Sequence, residues 1–125
     1  MKKNLNLLVI LISLITILTG FVQMVMPSFV LNFIGAEVSP ISSHLFAIVG
    51  MFMVLFGGLM THTVYSAHTS REAVLWCAFQ KLGAFVAVGL GVINGLFALI
   101  AIGVAIFDLF SGLLFMYYLK IRVEQ

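Results

Sequence analysis

The chain has 125 residues, of which 63% are hydrophobic and 8% are charged, and its formal net charge is +2. This composition is too apolar for a soluble domain, and the length suffices for one helical bundle only. A nucleic-acid surface needs a clustered basic patch, which these few dispersed cations do not supply, so nucleic acid is excluded as a partner. The composition predicts an integral membrane protein whose main partner is the lipid bilayer.

The first predicted helix covers residues 5–26 and is long enough to cross a hydrocarbon core, which needs about 20 apolar residues. Lys2 and Lys3 precede it, as in a secretory signal. The apolar run is longer than the core of a signal peptide and lacks an A-x-A-like cleavage site, so we expect a retained helix. About a third of its circumference is a polar stripe of Asn6, Ser13, Thr16, Gly20 and Gln23.

A short segment leads into the second predicted helix. The sequence SFVLNFI, between Pro27 and Gly35, is apolar but too short to span a membrane. It is either an interfacial helical turn or a loop packed on the bundle. Ser39 and Pro40 have the residue types of a helix N-cap and a first helical residue, so they predict the start of a helix over residues 41–60.

A tight turn joins the last two predicted helices. Thr69 and Glu72 have the spacing of a capping box, which opens a helix over residues 73–93. Asn94 and Gly95 end that helix, and the fourth predicted helix covers residues 96–119. The sequence therefore predicts an all-α, polytopic membrane protein in which residues 1–125 form one domain, a bundle of four transmembrane helices.

The basic residues predict the orientation of this bundle. All Lys and Arg residues except Lys81 lie at the termini or in the middle loop: Lys2, Lys3, Arg71, Lys120 and Arg122. Because cytoplasmic segments are rich in Lys and Arg, both termini are predicted to be cytoplasmic. Aromatic residues that favour the headgroup level lie near the same end: Tyr65, Trp76, Tyr117 and Tyr118. We expect a multi-pass protein of the bacterial cell inner membrane.

Small residues predict that the third and fourth helices form a tight hairpin. At about 100° per residue, one arc of the third helix contains Gln80, Gly83, Ala84, Ala87, Gly91 and Gly95. One arc of the fourth helix contains Ala98, Ala101, Ala105, Asp108 and Gly112. Small side chains let two backbones approach closely, and such packing drives helix association in lipid. The predicted packing residues are Gly83, Ala87, Gly91, Ala101, Ala105 and Gly112.

Two opposite charges, Lys81 and Asp108, lie in apolar helices at equal distances from the Asn94-Gly95 turn. In an antiparallel hairpin they therefore reach the same depth. Charge inside a bilayer is costly, so an intramembrane ionisable residue is a candidate functional site. Counting along the helices places Ser13 and Thr16 near the same level. We predict an intramembrane polar cluster, walled by the second helix, that consists of Lys81, Asp108, Gln80, Thr16 and Ser13.

The sequence leaves the role of the two charges open. Helical side chains lean toward their own N-terminus, which separates Lys81 and Asp108 on antiparallel helices. Gln80 is then the closer neighbour of Asp108, and Lys81 extends to the headgroups. Alternatively, a buried Lys81–Asp108 pair, or a network of Gln80, Asp108 and Thr16, fixes the helix register. In a third interpretation Asp108 is a proton or ligand site, because ionisation is costly at low dielectric.

The sequence has no recognisable catalytic, metal or cofactor motif. His44 and His62 lie at opposite ends of the second helix, so they cannot face each other across a haem. His62 and His68 have no further nearby metal ligand except Glu72. No nucleophile has an adjacent base. We therefore predict no enzymatic activity, no cofactor and no metal site.

The layout resembles the small DoxX-like bacterial membrane proteins. The residues on which the resemblance rests span the chain: Gly20, Pro27, Gly50, Gly57 and Asp108. The resemblance implies a four-helix membrane bundle, and some members of that group are associated with membrane redox complexes. The chain has no cofactor ligands that would support a redox activity of its own.

These observations favour a small, non-enzymatic membrane protein that acts as a partner or assembly subunit of another membrane protein, or as a homodimer. One alternative is a small-molecule or proton-linked carrier that uses Asp108. Another is an accessory subunit of a quinone-linked membrane oxidoreductase.

Overall fold

A computed structural model describes residues 2–123, and the regular structure in that range is entirely helical. The elements are α1 (Lys2–Val25), α2 (Pro27–Phe33), α3 (Pro40–Tyr65), α4 (Arg71–Ile93), α5 (Ala101–Tyr118) and a π-helical segment, Leu119–Val123. Helices α1, α3, α4 and α5 are each long and apolar enough to cross a membrane. The all-helical prediction is confirmed for the described residues, and the four long helices indicate a multi-pass membrane protein.

The outer surface of the bundle is apolar. Each long helix exposes large hydrophobic side chains, among them Leu18, Leu55, Val86 and Ile106. In water this exposure would be unfavourable, by about 25 cal/mol for each Å² of apolar surface. A hydrocarbon environment removes that cost, so the surface is suited to lipid.

The four long helices form two antiparallel pairs, α1 with α3 and α4 with α5. In the first pair Gly20 lies beside Gly50, whereas Ser13 lies beside Gly57, so the two chain directions are opposite. In the second pair Leu82 lies beside Gly112 near the middle of the helices. The two pairs meet at an apolar core toward the chain termini that includes Val9, Met60, Val74, Phe115 and Tyr118.

Backbone contact between α1 and α3 depends on three glycines. A Cβ atom built on Gly50 would lie 2.6 Å from the carbonyl oxygen of Gly20, and one built on Gly20 would lie 2.7 Å from that of Gly50. A Cβ atom on Gly57 would lie 2.8 Å from the carbonyl oxygen of Ser13. Real Cβ atoms do not come this close to backbone atoms, so the pair can pack in this way only with glycine at these positions.

Helix α2 packs against the turn between α4 and α5. Leu31, Ile34 and Ala101 form a small buried cluster there. The amide of Ala98 donates to the carbonyl oxygen of Ile34 at 2.7 Å, which joins the two segments through the backbone. The segment from Pro27 is therefore helical rather than an irregular loop. Its position relative to a lipid interface stays a prediction.

Two predicted helix boundaries match the structure, and others differ from it. Ser39 caps α3 by accepting a hydrogen bond from the amide of Ser42, with Pro40 as the first helical residue. Helix α4 ends at Ile93, and Gly95 has the positive φ of 75° that closes the turn. Helix α4, however, is capped one residue later than predicted. The hydroxyl of Ser70, rather than Thr69, accepts the helical amide, from Ala73 at 3.2 Å.

The fourth long helix begins at Ala101 rather than at residue 96. The intervening residues complete the turn, because the amides of Leu96 and Phe97 both donate to the carbonyl oxygen of Gly91. Residues 96 and 97 thus still belong to the turn. At the other end α5 continues into the π-helical segment. Helix α3 also extends to Tyr65, beyond the predicted limit at residue 60.

The predicted small-residue interface is partly wrong. Gly91, Gly112, Ala101 and Ala105 are buried as expected. Gly83 and Ala87 are exposed, and a Cβ atom on Gly83 would meet nothing within 4 Å.

The reason is the rotation of α4, which turns Val74, Cys77, Ala78, Lys81 and Gly91 toward the interior. Gly83 lies two residues beyond Lys81, or about 200° around the helix, and therefore faces outward. Burial of Lys81 beside its charge partner and exposure of Gly83 are thus two results of the same rotation.

Candidate functional site

The interior of the bundle contains a polar cluster contributed by α1, α4 and α5. Its central residues are Thr16, Lys81 and Asp108, with exposed fractions of 2%, 4% and 8%. Each lies near the middle of a long apolar helix. The fold therefore encloses an ammonium group and a carboxylate group that the sequence placed at equal depth.

Lys81 contacts both other helices through its ammonium group. The Nζ atom lies 3.6 Å from Oδ1 of Asp108 on α5, a charge contact slightly longer than a hydrogen bond. It donates a hydrogen bond to Oγ1 of Thr16 on α1 at 2.6 Å. The Thr16 hydroxyl in turn donates to the carbonyl oxygen of Ile12 at 2.9 Å. The hydroxyl thus has both a donor and an acceptor role.

The ring of Phe107 adds a third favourable contact, because its centroid lies 5.4 Å from the Lys81 ammonium group. An isolated buried ammonium group costs several kcal/mol, and only partners in good geometry offset that cost. Lys81 has a carboxylate, a hydroxyl and an aromatic face. These contacts favour one rotation of α4 about its axis. They also hold α1, α4 and α5 in a fixed relative register.

A small cavity adjoins the cluster, with space for a water-sized sphere of about 10 Å³. Its polar wall is formed by Ser13, Thr16, Cys77, Gln80 and Lys81. A cavity needs about this volume and two or more polar partners to hold one water molecule. The site can therefore accommodate a single water, and in this conformation it has no room for an organic solute.

The structure places the five residues of the predicted cluster in two groups. Thr16, Lys81 and Asp108 are directly connected. Ser13 and Gln80 line the adjoining cavity beside Lys81. The Ser13 hydroxyl donates to the carbonyl oxygen of Val9 on its own helix.

Lys81, rather than Gln80, is the side chain that approaches Asp108. Within the described part of the chain no hydrogen bond joins Gln80 to Asp108. The lean of side chains along antiparallel helices does not separate the charges, because the lysine side chain is long enough to bridge them. Lys81 points into the bundle and does not extend toward the headgroups.

Two interhelical contacts of the site region were not predicted. The side-chain nitrogen Nε2 of Gln23 donates to the carbonyl oxygen of Phe46 at 3.0 Å, which connects α1 to α3. The thiol of Cys77 lies 3.8 Å from the carbonyl oxygen of Phe56 and connects α4 to α3. Gln23 belonged to the polar stripe of the first predicted helix, so its inward orientation was foreseeable, but its partner was not.

Among the described residues no group of three or more His, Cys, Asp and Glu side chains lies together as a metal site would require. What the cluster can do chemically follows from its groups: one ammonium, one carboxylate and two hydroxyls can hold helices in register, bind a water, or exchange a proton.

In comparisons with known proteins, no family model, curated protein or solved structure matches the chain.

Proposed function

We propose that the protein is a non-enzymatic membrane protein that acts by association with another membrane protein or with a second copy of itself. The observation in favour is the outward orientation of Gly83 and Ala87 on α4. These small residues are four positions apart, which is the spacing that allows a second helix to approach closely in lipid. A Cβ atom built on Gly83 would meet nothing within 4 Å in the described chain, so this face of α4 is open.

The closed polar cluster supports the same proposal. Lys81 and Asp108 are buried and partnered, so their arrangement suits the maintenance of a rigid bundle. A carrier that uses Asp108 remains a second candidate because a small cavity adjoins its partner Lys81. Transport of anything larger than a water would require α1 to separate from α4, which would break the bond between Lys81 and Thr16.

The resemblance to DoxX-like proteins suggests one kind of partner, a quinone-linked oxidoreductase. The protein would then be an accessory subunit of that enzyme. The role of the bundle there would be association, with the redox chemistry in the partner.

Gly83→Leu is expected to abolish the association and leave the fold intact. The leucine would project into open space within the chain, whereas between two helices it would separate the backbones. The measurement is extraction in native lipid nanoparticles, followed by the mass of the assembly and identification of copurifying proteins. We expect at least a roughly tenfold loss of the partner, which corresponds to about 1.4 kcal/mol.

Gly103→Leu is the matched control. Gly103 is exposed on α5, and a Cβ atom there also meets nothing within 4 Å. This variant should keep the assembly. An unchanged assembly for Gly83→Leu, or a monomer without partners in the unsubstituted protein, would contradict the proposed association.

We further propose that both termini are cytoplasmic and that the membrane is the bacterial inner membrane. Support for the orientation comes from the basic residues, because Lys3, Arg71, Lys120 and Arg122 lie at the terminal end of the bundle and the segments at the opposite end have none. Support for a bacterial membrane comes from the resemblance to DoxX-like proteins alone.

The orientation can be tested with single cysteines in a Cys77→Ala background. Glu37 and Ala67 are exposed at opposite ends of α3. A membrane-impermeant thiol reagent added outside intact cells should label Glu37→Cys and not Ala67→Cys. Labelling of Ala67→Cys alone would show the opposite orientation.

A further inference from the structure

A groove of about 460 Å³ lies at the end of the bundle where α4 begins and α5 ends. Two cationic residues, Arg71 and Lys120, line it together with Tyr117. Its apolar wall consists of Leu75, Met116 and Leu119. The volume is within the range of roughly 300–1,000 Å³ that is typical of small-molecule sites.

The position of the groove limits what can enter it. Arg71 is the first residue of α4, and Lys120 follows the last turn of α5, so both lie at the ends of candidate membrane spans. The ends of such spans lie at the level of the lipid headgroups. The π-helical segment contacts α4, which places Lys120 on the same side as Arg71. A ligand there meets cations at one end and apolar side chains at the other.

We propose that this groove binds an anionic phospholipid. The headgroup phosphate would lie between Arg71 and Lys120, and an acyl chain would follow Leu75 and Met116. Arg binds phosphate through its planar fork of donors and Lys as a point charge, and basic pockets between membrane helices recognise anionic headgroups in this way.

The apolar wall decides between a lipid and a free anion. Inorganic phosphate would use the two cations and leave Leu75, Met116 and Leu119 without a function. A phospholipid contacts both kinds of wall at once. This inference does not depend on the proposed association, because the groove and Gly83 involve different residues.

The lone tryptophan provides a direct measurement. Trp76 follows Leu75 in α4 and its side chain is 61% exposed, so brominated acyl chains near the groove will quench its fluorescence. The purified full chain is reconstituted in bilayers of phosphatidylcholine with increasing brominated phosphatidylglycerol, or with brominated phosphatidylcholine for comparison. Preferential quenching by phosphatidylglycerol at low mole fraction is the expected result.

Arg71→Gln/Lys120→Gln should remove this preference. Each cation near the membrane surface contributes about a fivefold change in relative affinity, so the pair should contribute about thirtyfold. Lys3→Gln/Arg122→Gln is the matched control, because it removes the same number of charges near the membrane surface from residues that do not line the groove. The loss that Arg71→Gln/Lys120→Gln shows beyond this control measures binding in the groove. Arg71→Lys/Lys120→Arg keeps both charges and should keep the preference, which separates a binding effect from a folding effect.

Three results would overturn the proposal. The first is equal quenching by the two lipids in the unsubstituted protein. The second is an equal loss of the preference in the control pair. The third is loss of the preference on addition of millimolar inorganic phosphate but not of chloride at the same ionic strength, which would assign the groove to a free anion.

Discussion

Gly57→Leu is expected to destabilise the protein strongly, whereas Gly58→Leu should have little effect although the two residues are adjacent. A Cβ atom on Gly57 would lie 2.8 Å from the carbonyl oxygen of Ser13, so leucine forces α3 away from α1. A Cβ atom on Gly58 would meet nothing within 4 Å. Overpacking of a close interface costs about 1–3 kcal/mol and occasionally more, and we expect the upper end because the backbone of α1 must move as well as the Ile17 side chain.

The measurement is the free energy of unfolding in mild detergent, followed by the loss of helical circular dichroism. Gly58→Leu should be neutral or slightly stabilising, because glycine in a helix interior costs roughly 0.5–1 kcal/mol relative to alanine. Gly50→Leu should reproduce the effect of Gly57→Leu, since its Cβ atom would lie 2.6 Å from the carbonyl oxygen of Gly20. Similar losses for Gly57→Leu and Gly58→Leu would show that α1 and α3 do not meet at this face.

The glycines on α1 and α3 show the limit of what helical periodicity can predict. Gly50 and Gly57 are seven residues apart, which marks one face of a helix, but small residues also mark faces on both helices of the α4–α5 hairpin. Periodicity identifies which residues share a face; it does not identify the helix that the face meets. In the structure α1 packs against α3, and the short helix α2 contacts both.

The helix boundaries were more predictable where local hydrogen bonds decide them. Ser39 and Gly95 act through their own backbone neighbourhood, and the sequence contains that information. The start of α5 follows the bonds from Leu96 and Phe97 to Gly91 and also a distant contact, the bond from Ala98 to Ile34. No local pattern reports the bond to Ile34, so the sequence did not show that the turn continues as far as Ala101.

The candidate site could be predicted from the sequence in part. Equal spacing from the turn was enough to predict that Lys81 and Asp108 reach the same depth. The partner of Lys81 on α1, Thr16, was predicted only at the level of depth, by counting residues along the helix. Whether Lys81 or Gln80 approaches Asp108 depends on the rotation of α4. The small residues of α4 predict the wrong rotation, because they include Gly83, which faces outward.

Asp108→Asn is expected to destabilise the bundle by about 3–5 kcal/mol, the usual cost of removing one partner from a buried ion pair. The substitution leaves the Lys81 ammonium group enclosed, with the Thr16 hydroxyl and the Phe107 ring as its remaining partners. The free energy of unfolding in detergent measures this loss. Asp108→Asn/Lys81→Met should recover much of it, because methionine removes the uncompensated charge and fills a similar volume.

This double substitution also separates the two candidate functions. If Lys81 and Asp108 only hold α4 and α5 together, the double variant should keep both its fold and its copurifying partner. If Asp108 is the proton or solute site of a carrier, Asp108→Asn should instead leave the fold nearly unchanged and abolish solute-induced proton release in reconstituted vesicles. Unchanged stability of Asp108→Asn, with no such proton release in the unsubstituted protein, would contradict both roles. The stability of the bundle would then have to come from its glycine and apolar contacts, with the charge pair incidental.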